Sequence, residues 1–201
     1  MKPPYIYLAS ASPRRHELLK QIKVPHEVLR VPEAAANQDE PIYPGEAAED
    51  YVIRTAREKA ERAFNYVHAE NSGLVHHPIL AADTCVMLNS KVIDKAHSAE
   101  DVRQSLQTLS GQEHEVHTHI VLITPNKGLL EHTSVNTVYM RVLSEEDIEH
   151  YVSSNEGIGK AGGYAIQGLG AMLIKSMEGS FSGVVGLPLS ETWELLQALQ
   201  K

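Results

Sequence analysis

Apolar and polar positions follow two periodicities along this chain, and they divide it into strands and helices. Apolar runs rich in β-branched and aromatic residues predict strands at 5–9, 24–31, 79–88, 91–93, 116–124, 130–143, 171–177 and 181–185. Apolar residues at helical spacing predict helices at 13–22, 45–67, 98–109 and 190–199, with a short helix after Ser144. Because no strict βαβ rhythm connects them, we expect an α/β fold with a mixed sheet and flanking helices.

Turn and cap signals place several of the boundaries. Ser98 with Asp101, and Ser144 with Asp147, have the spacing of capping boxes. In a capping box the side chains of a serine and an acid each accept a hydrogen bond from the other residue's backbone N–H at the start of a helix. A two-residue turn at 89–90 predicts a hairpin between the strands at 79–88 and 91–93. These local signals predict where elements begin, independently of contacts with distant parts of the chain.

Composition narrows the class of protein. With 201 residues, 42% of them hydrophobic, the chain can bury one substantial core, as one domain or as two lobes sharing a sheet. A formal charge of −8 argues against partners such as nucleic acid or a membrane surface. The single cysteine, Cys85, makes no internal disulfide, and neither a signal peptide nor a membrane span is visible. We therefore expect a cytoplasmic protein.

The junction between the first strand and the first helix carries the strongest chemical signal. Ser10 and Ser12 lie in the turn, and Arg14 and Arg15 follow a proline in the first helical turn. Two arginines are unfavourable there because the start of a helix carries partial positive charge. An anionic ligand removes the conflict and free backbone N–H groups add donors, so the segment predicts a phosphate cradle. The alternative is that both arginines face solvent or pair with surface acids such as Glu17.

A second candidate is Asp83, which interrupts the apolar strand at 79–88. An unpaired ionised carboxylate in such a strand costs several kcal/mol of desolvation, so a cation must lie beside it. Lys59 falls on the apolar stripe of the helix at 45–67, and Lys95 follows the hairpin, whose register would set it opposite Thr84. Asp83 is then either half of a buried salt bridge, or a metal ligand or general base in a site for a highly charged ligand.

Three further motifs carry weaker signals. Residues 157–170 hold six of the 13 glycines, and 157–162 match the dinucleotide-binding pattern, but they follow a helix rather than a strand, which excludes that interpretation. The segment predicts either a flexible loop that folds over a ligand or a mobile surface connection. His117 and His119 share one strand face, where a solvated face is favoured over a metal site. Cys85 lacks the basic setting that activates a nucleophilic thiol.

Five motifs, in order along the chain, resemble the Maf family of nucleotide pyrophosphatases. The serine-arginine block and the Asp-Thr pair are the most specific. The motifs comprise residues 8–19, 57–60, 82–84, 160–168 and 186–189, so the resemblance extends over nearly the whole chain. It implies an elongated α/β fold similar to inosine triphosphate pyrophosphatases, with a mixed sheet and a cleft between two lobes of a single domain over residues 1–201. It also implies a homodimer.

Members of that family hydrolyse nucleoside triphosphates to the monophosphate and pyrophosphate with a divalent cation. The resemblance therefore implies Mg²⁺ or Mn²⁺ as the cofactor and gives Asp83 the family's position of proton acceptor. Counting back from Tyr51 selects Glu40 as the other acid of the metal site, with Glu33 and Asp39 as alternatives in the same loop.

The resemblance also implies the substrate. Arg14, Thr84 and Gln167 match the positions that mark the branch acting on dTTP and UTP. Our hypothesis is a metal-dependent pyrophosphatase that cleaves the α,β-phosphoanhydride bond. Asp83 and Glu40 hold the cation, and the groups that bind the triphosphate are Ser10, Ser12, Arg15, Lys59 and Lys95. The alternatives are the same chemistry on 7-methyl-GTP or another modified nucleotide, and a noncatalytic nucleotide-binding regulator of septum formation.

Overall fold

The computed structural model describes residues 2–32, 41–70 and 72–199. Within these ranges the chain forms strands, α-helices and one 3₁₀ helix. In chain order they are β1 (Ile6–Leu8), α1 (Pro13–Gln21), β2 (His26–Val28), α2 (Ala48–Val67), β3 (Ile79–Leu88), β4 (Lys91–Ile93), α3 (Ala99–Leu109), β5 (Glu113–Ile123), β6 (Leu129–Met140), α4 (Glu145–Ser153), the 3₁₀ helix (Gly168–Leu173), β7 (Ile174–Glu178), α5 (Phe181–Val185) and α6 (Leu189–Ala198). No helix in the described residues combines the length and the apolar character that crossing a membrane demands.

The strands form one sheet that mixes both directions of pairing. Its order is β2-β1-β3-β5-β6-β7, and β4 pairs with β3 away from this path. Strand β1 runs parallel to β2 and to β3, whereas β4 is antiparallel to β3 and β7 is antiparallel to β6. The predicted mixed sheet is therefore confirmed.

The chain forms two compact units. Unit 1 comprises Met1–Asp83, Thr118–Thr133 and Gly186–Lys201, and unit 2 comprises Thr84–His117 and Ser134–Val185. A single domain with two lobes over residues 1–201 stays a prediction.

In unit 1, helix α2 packs against the sheet through small side chains. Ala56 and Ala60 of α2 are fully buried, and they pack in one cluster with Ala81 of β3 and Val121 of β5. Alanines at a helix-strand contact allow the two backbones to approach closely, because no long side chain holds them apart. This close approach positions the polar side chains of α2 that lie on the same face as these alanines.

The hairpin of β3 and β4 follows the predicted turn. Asn89 and Ser90 both have positive φ, at 51° and 60°, as a two-residue turn with the right-handed strand twist requires. Val86 lies opposite Ile93, where β4 ends. Beyond it, Lys95 makes an isolated antiparallel bridge to Ala161, in the glycine-rich segment.

The late part of the chain departs from the prediction. Residues 181–185 form helix α5 rather than a strand, because Ser180 begins a helical turn: its Oγ accepts from the N–H of Gly183 at 3.1 Å and its carbonyl accepts from Val184 at 3.0 Å. Asn136 Oδ1 accepts from the N–H of Ser180 at 2.6 Å and fixes the start of this turn. The run at 171–177 divides between the 3₁₀ helix and β7. Short apolar runs do not distinguish strand from helix by periodicity alone.

Candidate active site

Asp83 lies on β3 among fully buried apolar residues, and its own exposure is 8%. Two side chains of α2 contact its carboxylate. Lys59 Nζ donates to Oδ1 at 2.6 Å, and Thr55 Oγ1 donates to Oδ2 at 2.6 Å. Thr55 and Lys59 are four residues apart, so they project from one face of the helix. The expectation that a cation meets Asp83 is confirmed, and that cation is Lys59.

Arg15 brings the serine-arginine turn to a buried position in unit 1. It is 9% exposed, its Nε donates to the carbonyl of Gly186 at 2.8 Å, and its Nη1 donates to Ser10 Oγ at 3.2 Å. Ser10 Oγ also accepts from the N–H of Ser12 at 3.2 Å. The surface alternative for Arg15 is therefore wrong: Glu17 pairs instead with Lys20, at 3.0 Å.

Arg14 is half-buried in the first turn of α1, two residues after the N-cap residue Ser12. The Ser12 side chain makes no capping hydrogen bond. The described cradle in unit 1 thus consists of the Arg15 guanidinium, the Ser10 hydroxyl and the backbone of the turn. Sequence reasoning found both serines and Arg15, but missed the Gly186 carbonyl, because a backbone acceptor 171 positions away leaves no signal in residue types.

The electrostatics of the Asp83 carboxyl favour its ionised form. Burial raises its pKa, but the charges of Lys59 and Arg15 and the hydrogen bonds from Lys59 and Thr55 outweigh burial and hold the pKa below the ordinary value. Asp83 is thus a buried carboxylate that keeps its negative charge, facing two cations from different elements of the same unit.

The donor set fits a divalent cation that is shared with a substrate. Among the described residues, no three His, Cys, Asp or Glu side chains converge on a point that could hold a metal ion. Within the described part of the site, Asp83 supplies the carboxylate ligand, and each of its oxygens keeps a lone pair after accepting one hydrogen bond. One or two carboxylates plus phosphate oxygens is the arrangement in which Mg²⁺ is commonly held. Glu40 and its alternatives Glu33 and Asp39 lie outside the described residues.

Three candidate residues belong to unit 2. Thr84 is half-buried on β3, Lys95 is exposed, and Gln167 is exposed at the N-cap of the 3₁₀ helix. The bridge of Lys95 to Ala161 ties its backbone to the glycine-rich segment. Their participation in one site with Asp83 stays a prediction.

The glycine-rich segment is hydrogen-bonded rather than an unsupported surface connection. The N–H of Gly159 donates to Ala96 at 2.7 Å, and the N–H of Gly162 donates to Asp94 at 3.2 Å. A side chain at Gly157 would place its Cβ 2.2 Å from the Gly163 carbonyl, so this position admits only glycine. These bonds fix residues 157–163 alongside the segment that carries Lys95.

Glu156 is a second residue that sequence reasoning missed. Its Oε2 accepts from the N–H of Leu169 at 3.0 Å and its Oε1 from the N–H of Gly170 at 2.8 Å. One carboxylate thus caps the first turn of the 3₁₀ helix, directly after Gln167. The signal was an acid before a glycine-rich segment, but its partners are backbone groups of another turn.

The face of β5 that carries the histidines is not solvated. His117 and His119 are 4% and 3% exposed, within a run of β5, residues 116–123, in which every residue is buried. His117 Nε2 contacts Glu115 at 2.8 Å, and His119 Nδ1 contacts Thr133 Oγ1 at 2.7 Å. The predicted solvated face is therefore wrong, since successive residues of a strand point to opposite faces and both faces of this run are covered.

On a mixed α/β sheet, a buried carboxylate that keeps its charge lies beside a lysine and near an arginine, and such cations are the groups that phosphorylated anions bind. The chain belongs to the Maf-like protein family, whose model matches residues 5–199. The resemblance found in the sequence is thus confirmed.

Curated relatives agree with this assignment, and a solved structure shares the fold. The chain is 49% identical over 98% of its length to a protein of Bordetella parapertussis named dTTP/UTP pyrophosphatase, covering 93% of that protein. It is 44% identical over 95% of its length to a dTTP/UTP pyrophosphatase of Escherichia coli strain 536, covering 91% of it. A HAM1 protein structure from Coxiella burnetii matches at a TM-score of 0.53 and 16% identity, over 98% of both chains. The last match concerns the fold alone, and it confirms the predicted fold class.

Proposed function

We propose that this protein hydrolyses dTTP and UTP to the nucleoside monophosphate and pyrophosphate. The observation that carries the proposal is the buried Asp83 carboxylate, held 2.6 Å from Lys59 and close enough to Arg15 for the arginine charge to lower its pKa. Membership of the Maf-like family supports the reaction, and the printed names of relatives at 44% and 49% identity support the substrates.

The two cations of unit 1 suit the charge that moves during this reaction. When water attacks the α-phosphorus, negative charge passes to the leaving pyrophosphate. Arg15 is preorganised by Gly186 and Ser10, so it requires little reordering to meet a phosphate oxygen. The Lys59 side chain is 22% exposed, and its ammonium lies 2.6 Å from Asp83, so its charge is held at the carboxylate.

Asp83 orients the attacking water and accepts its proton. Without substrate, Lys59 and Arg15 keep the pKa of this carboxyl low, which makes it a weak base. Phosphate oxygens of a bound substrate compete with the carboxylate for both cations.

A divalent cation, Mg²⁺ or Mn²⁺, completes the proposal, with Asp83 and Glu40 as its protein ligands. When bound, it lowers the pKa of water and offsets phosphate charge.

The proposed contacts to the pyrimidine are Arg14, Thr84 and Gln167, because a hydroxyl and an amide supply the donors and acceptor that match the edge of the base. Lys95 is proposed to bind the triphosphate. The homodimer and the cytoplasmic location stay predictions.

The experiment is a substrate panel. The purified chain is incubated with dTTP, UTP, dCTP, GTP and 7-methyl-GTP, with Mg²⁺, with Mn²⁺ and with EDTA, and pyrophosphate and monophosphate are quantified. We expect equal amounts of both products from dTTP and UTP, and a loss of turnover with EDTA. Release of inorganic phosphate instead of pyrophosphate would contradict the bond assignment, and a preference for 7-methyl-GTP would contradict the substrate.

A further inference from the structure

Thr55 is a fully buried hydroxyl on the face of α2 that packs against β3. A threonine inside a helix ordinarily satisfies its hydroxyl with a carbonyl of the preceding turn. Such acceptors are present, because Tyr51 O lies 3.0 Å and Val52 O lies 3.2 Å from Thr55 Oγ1. The shortest contact is nevertheless the 2.6 Å to Asp83 Oδ2.

The position of the hydroxyl proton follows from this geometry. Two oxygen atoms 2.6 Å apart repel each other unless a proton lies between them. Asp83 is salt-bridged to Lys59, so its carboxylate is the charged acceptor and the proton belongs to Thr55. The single hydroxyl proton of Thr55 is thus directed at Asp83 rather than at its own helix.

Two anchors restrict a carboxylate far more than one anchor does. The terminal torsion of an aspartate side chain is broad and roughly two-fold, so a single contact through Lys59 leaves the carboxylate free to turn. Thr55 holds the second oxygen from the same helix face, one turn earlier. With both oxygens held, the plane of the carboxylate and the direction of its remaining lone pairs are fixed.

We propose that Thr55 is a positioning residue, which fixes the plane of the Asp83 carboxylate toward the reacting water. This inference rests on the proposed function, because it assumes that Asp83 acts in hydrolysis. Thr55 is fully buried behind Asp83, so it acts through Asp83 rather than by touching the substrate. Its loss should therefore reduce the chemical step and leave nucleotide binding nearly unchanged.

The test compares Thr55→Val, which keeps the shape and removes the hydroxyl, with Thr55→Ser, which keeps the hydroxyl. Thr192→Val is the matched control, because Thr192 is also fully buried in unit 1 and its hydroxyl donates to the carbonyl of Pro188 at 2.7 Å. We measure kcat and KM for dTTP, and by calorimetry the Kd of a nonhydrolysable α,β-imido analogue. Thr55→Ala serves where the valine variant does not fold.

We expect Thr55→Val, or Thr55→Ala in its place, to lower kcat about tenfold, which is a change of roughly 1.4 kcal/mol in the barrier. KM and the Kd of the analogue should stay within about twofold, and Thr55→Ser should restore most of kcat. A kcat within twofold of the Thr192→Val value would overturn the inference, as would a loss confined to KM and Kd. An inactive wild-type protein would instead overturn the proposed function, so the two failures are distinguishable.

Discussion

Two buried polar groups of this molecule solve the same desolvation problem in opposite ways. In unit 1, the Asp83 cluster, made of Asp83, Lys59, Thr55 and Arg15, keeps its charges. Burial raises the pKa of the Asp83 carboxyl, but neighbouring cations and hydrogen bonds lower that pKa by more. In unit 2, the His114 pair, made of His114 and Tyr164, avoids charge. Burial lowers the pKa of His114 to about 4 and raises the pKa of Tyr164, so both side chains are neutral at pH 7.

The difference is the one we expect between a reactive site, as proposed for the Asp83 cluster, and a pair that supports packing. His114 Nε2 and the Tyr164 hydroxyl lie 2.7 Å apart, and this hydrogen bond between two neutral groups needs no ion. A buried ion pair is no cheaper than an apolar contact, so stability alone does not explain the Asp83 cluster. A site for polyphosphate requires groups that stay charged despite the desolvation penalty of burial.

The largest effect should come from removing the acid of the charged cluster. Asp83→Asn keeps the size and the Thr55 contact but cannot accept a proton, so we expect turnover of dTTP to fall roughly 10³-fold. Pyrophosphate release and circular dichroism measure activity and folding. Asp101→Asn, which alters an exposed capping carboxylate in unit 2, is the control and should keep full activity. Turnover by Asp83→Asn near the wild-type rate would show that the cluster is structural, like the His114 pair.

A smaller loss should follow from removing the cation. Lys59→Met keeps the packed stem and removes the ammonium, so we expect kcat/KM for dTTP to fall roughly 10²-fold, because charge on the leaving group is less well stabilised. Lys20→Met is the matched control, since Lys20 forms an exposed ion pair with Glu17 and such pairs contribute little. Equal activities of the two variants would remove Lys59 from the reaction.

Sequence reasoning reached the parts of the site whose signals are local. Asp83 stood out as an acid in an apolar strand, and Lys59 as a cation on an apolar helix face, so their pairing was predictable. The capping boxes of α3 and α4 formed as predicted, because both partners lie within four residues. The hairpin turn was local as well.

The parts that sequence reasoning missed depend on distant backbone or on placement in the sheet. Thr55 on an apolar helix face is indistinguishable from a threonine bonded to its own helix. The Gly186 carbonyl that anchors Arg15 has no side chain to read. His119 is buried because both faces of β5 are covered at residues 116–123, and the elements that cover them are distant in the sequence.

The neutral pair gives the next prediction, which concerns stability. The folded pKa of His114, about 4, lies below the 6.5 of an unfolded histidine, so between these values only the unfolded chain binds the proton. Stability should therefore fall as the pH decreases from about 6.5 to about 4, by up to roughly 3 kcal/mol. Urea unfolding followed by circular dichroism at pH 7 and pH 4.5 measures this change.

The variant His114→Gln cannot titrate, so it should lose most of this pH dependence while keeping the wild-type rate of dTTP hydrolysis at pH 7. His150→Gln, at an exposed position of α4, is the control and should keep the full dependence. An unchanged dependence in His114→Gln would assign the acid sensitivity to other groups, of which His119 is the next candidate, because burial lowers its pKa as well.

The smallest expected effect tests whether unit 2 also contributes to substrate choice. Glu156 caps the turn after Gln167 with both carboxylate oxygens, at 3.0 and 2.8 Å. In Glu156→Gln one acceptor becomes an NH₂ group facing a backbone N–H, so the turn shifts and Gln167 is held less well. We expect the preference for dTTP over dCTP in kcat/KM to narrow about threefold, with kcat for dTTP nearly unchanged.

Glu146→Gln, at an exposed site in α4, is the control. If Gln167→Ala narrows the preference and Glu156→Gln does not, Gln167 reads the base without needing this cap; if neither does, base selection lies elsewhere than in the 3₁₀ turn.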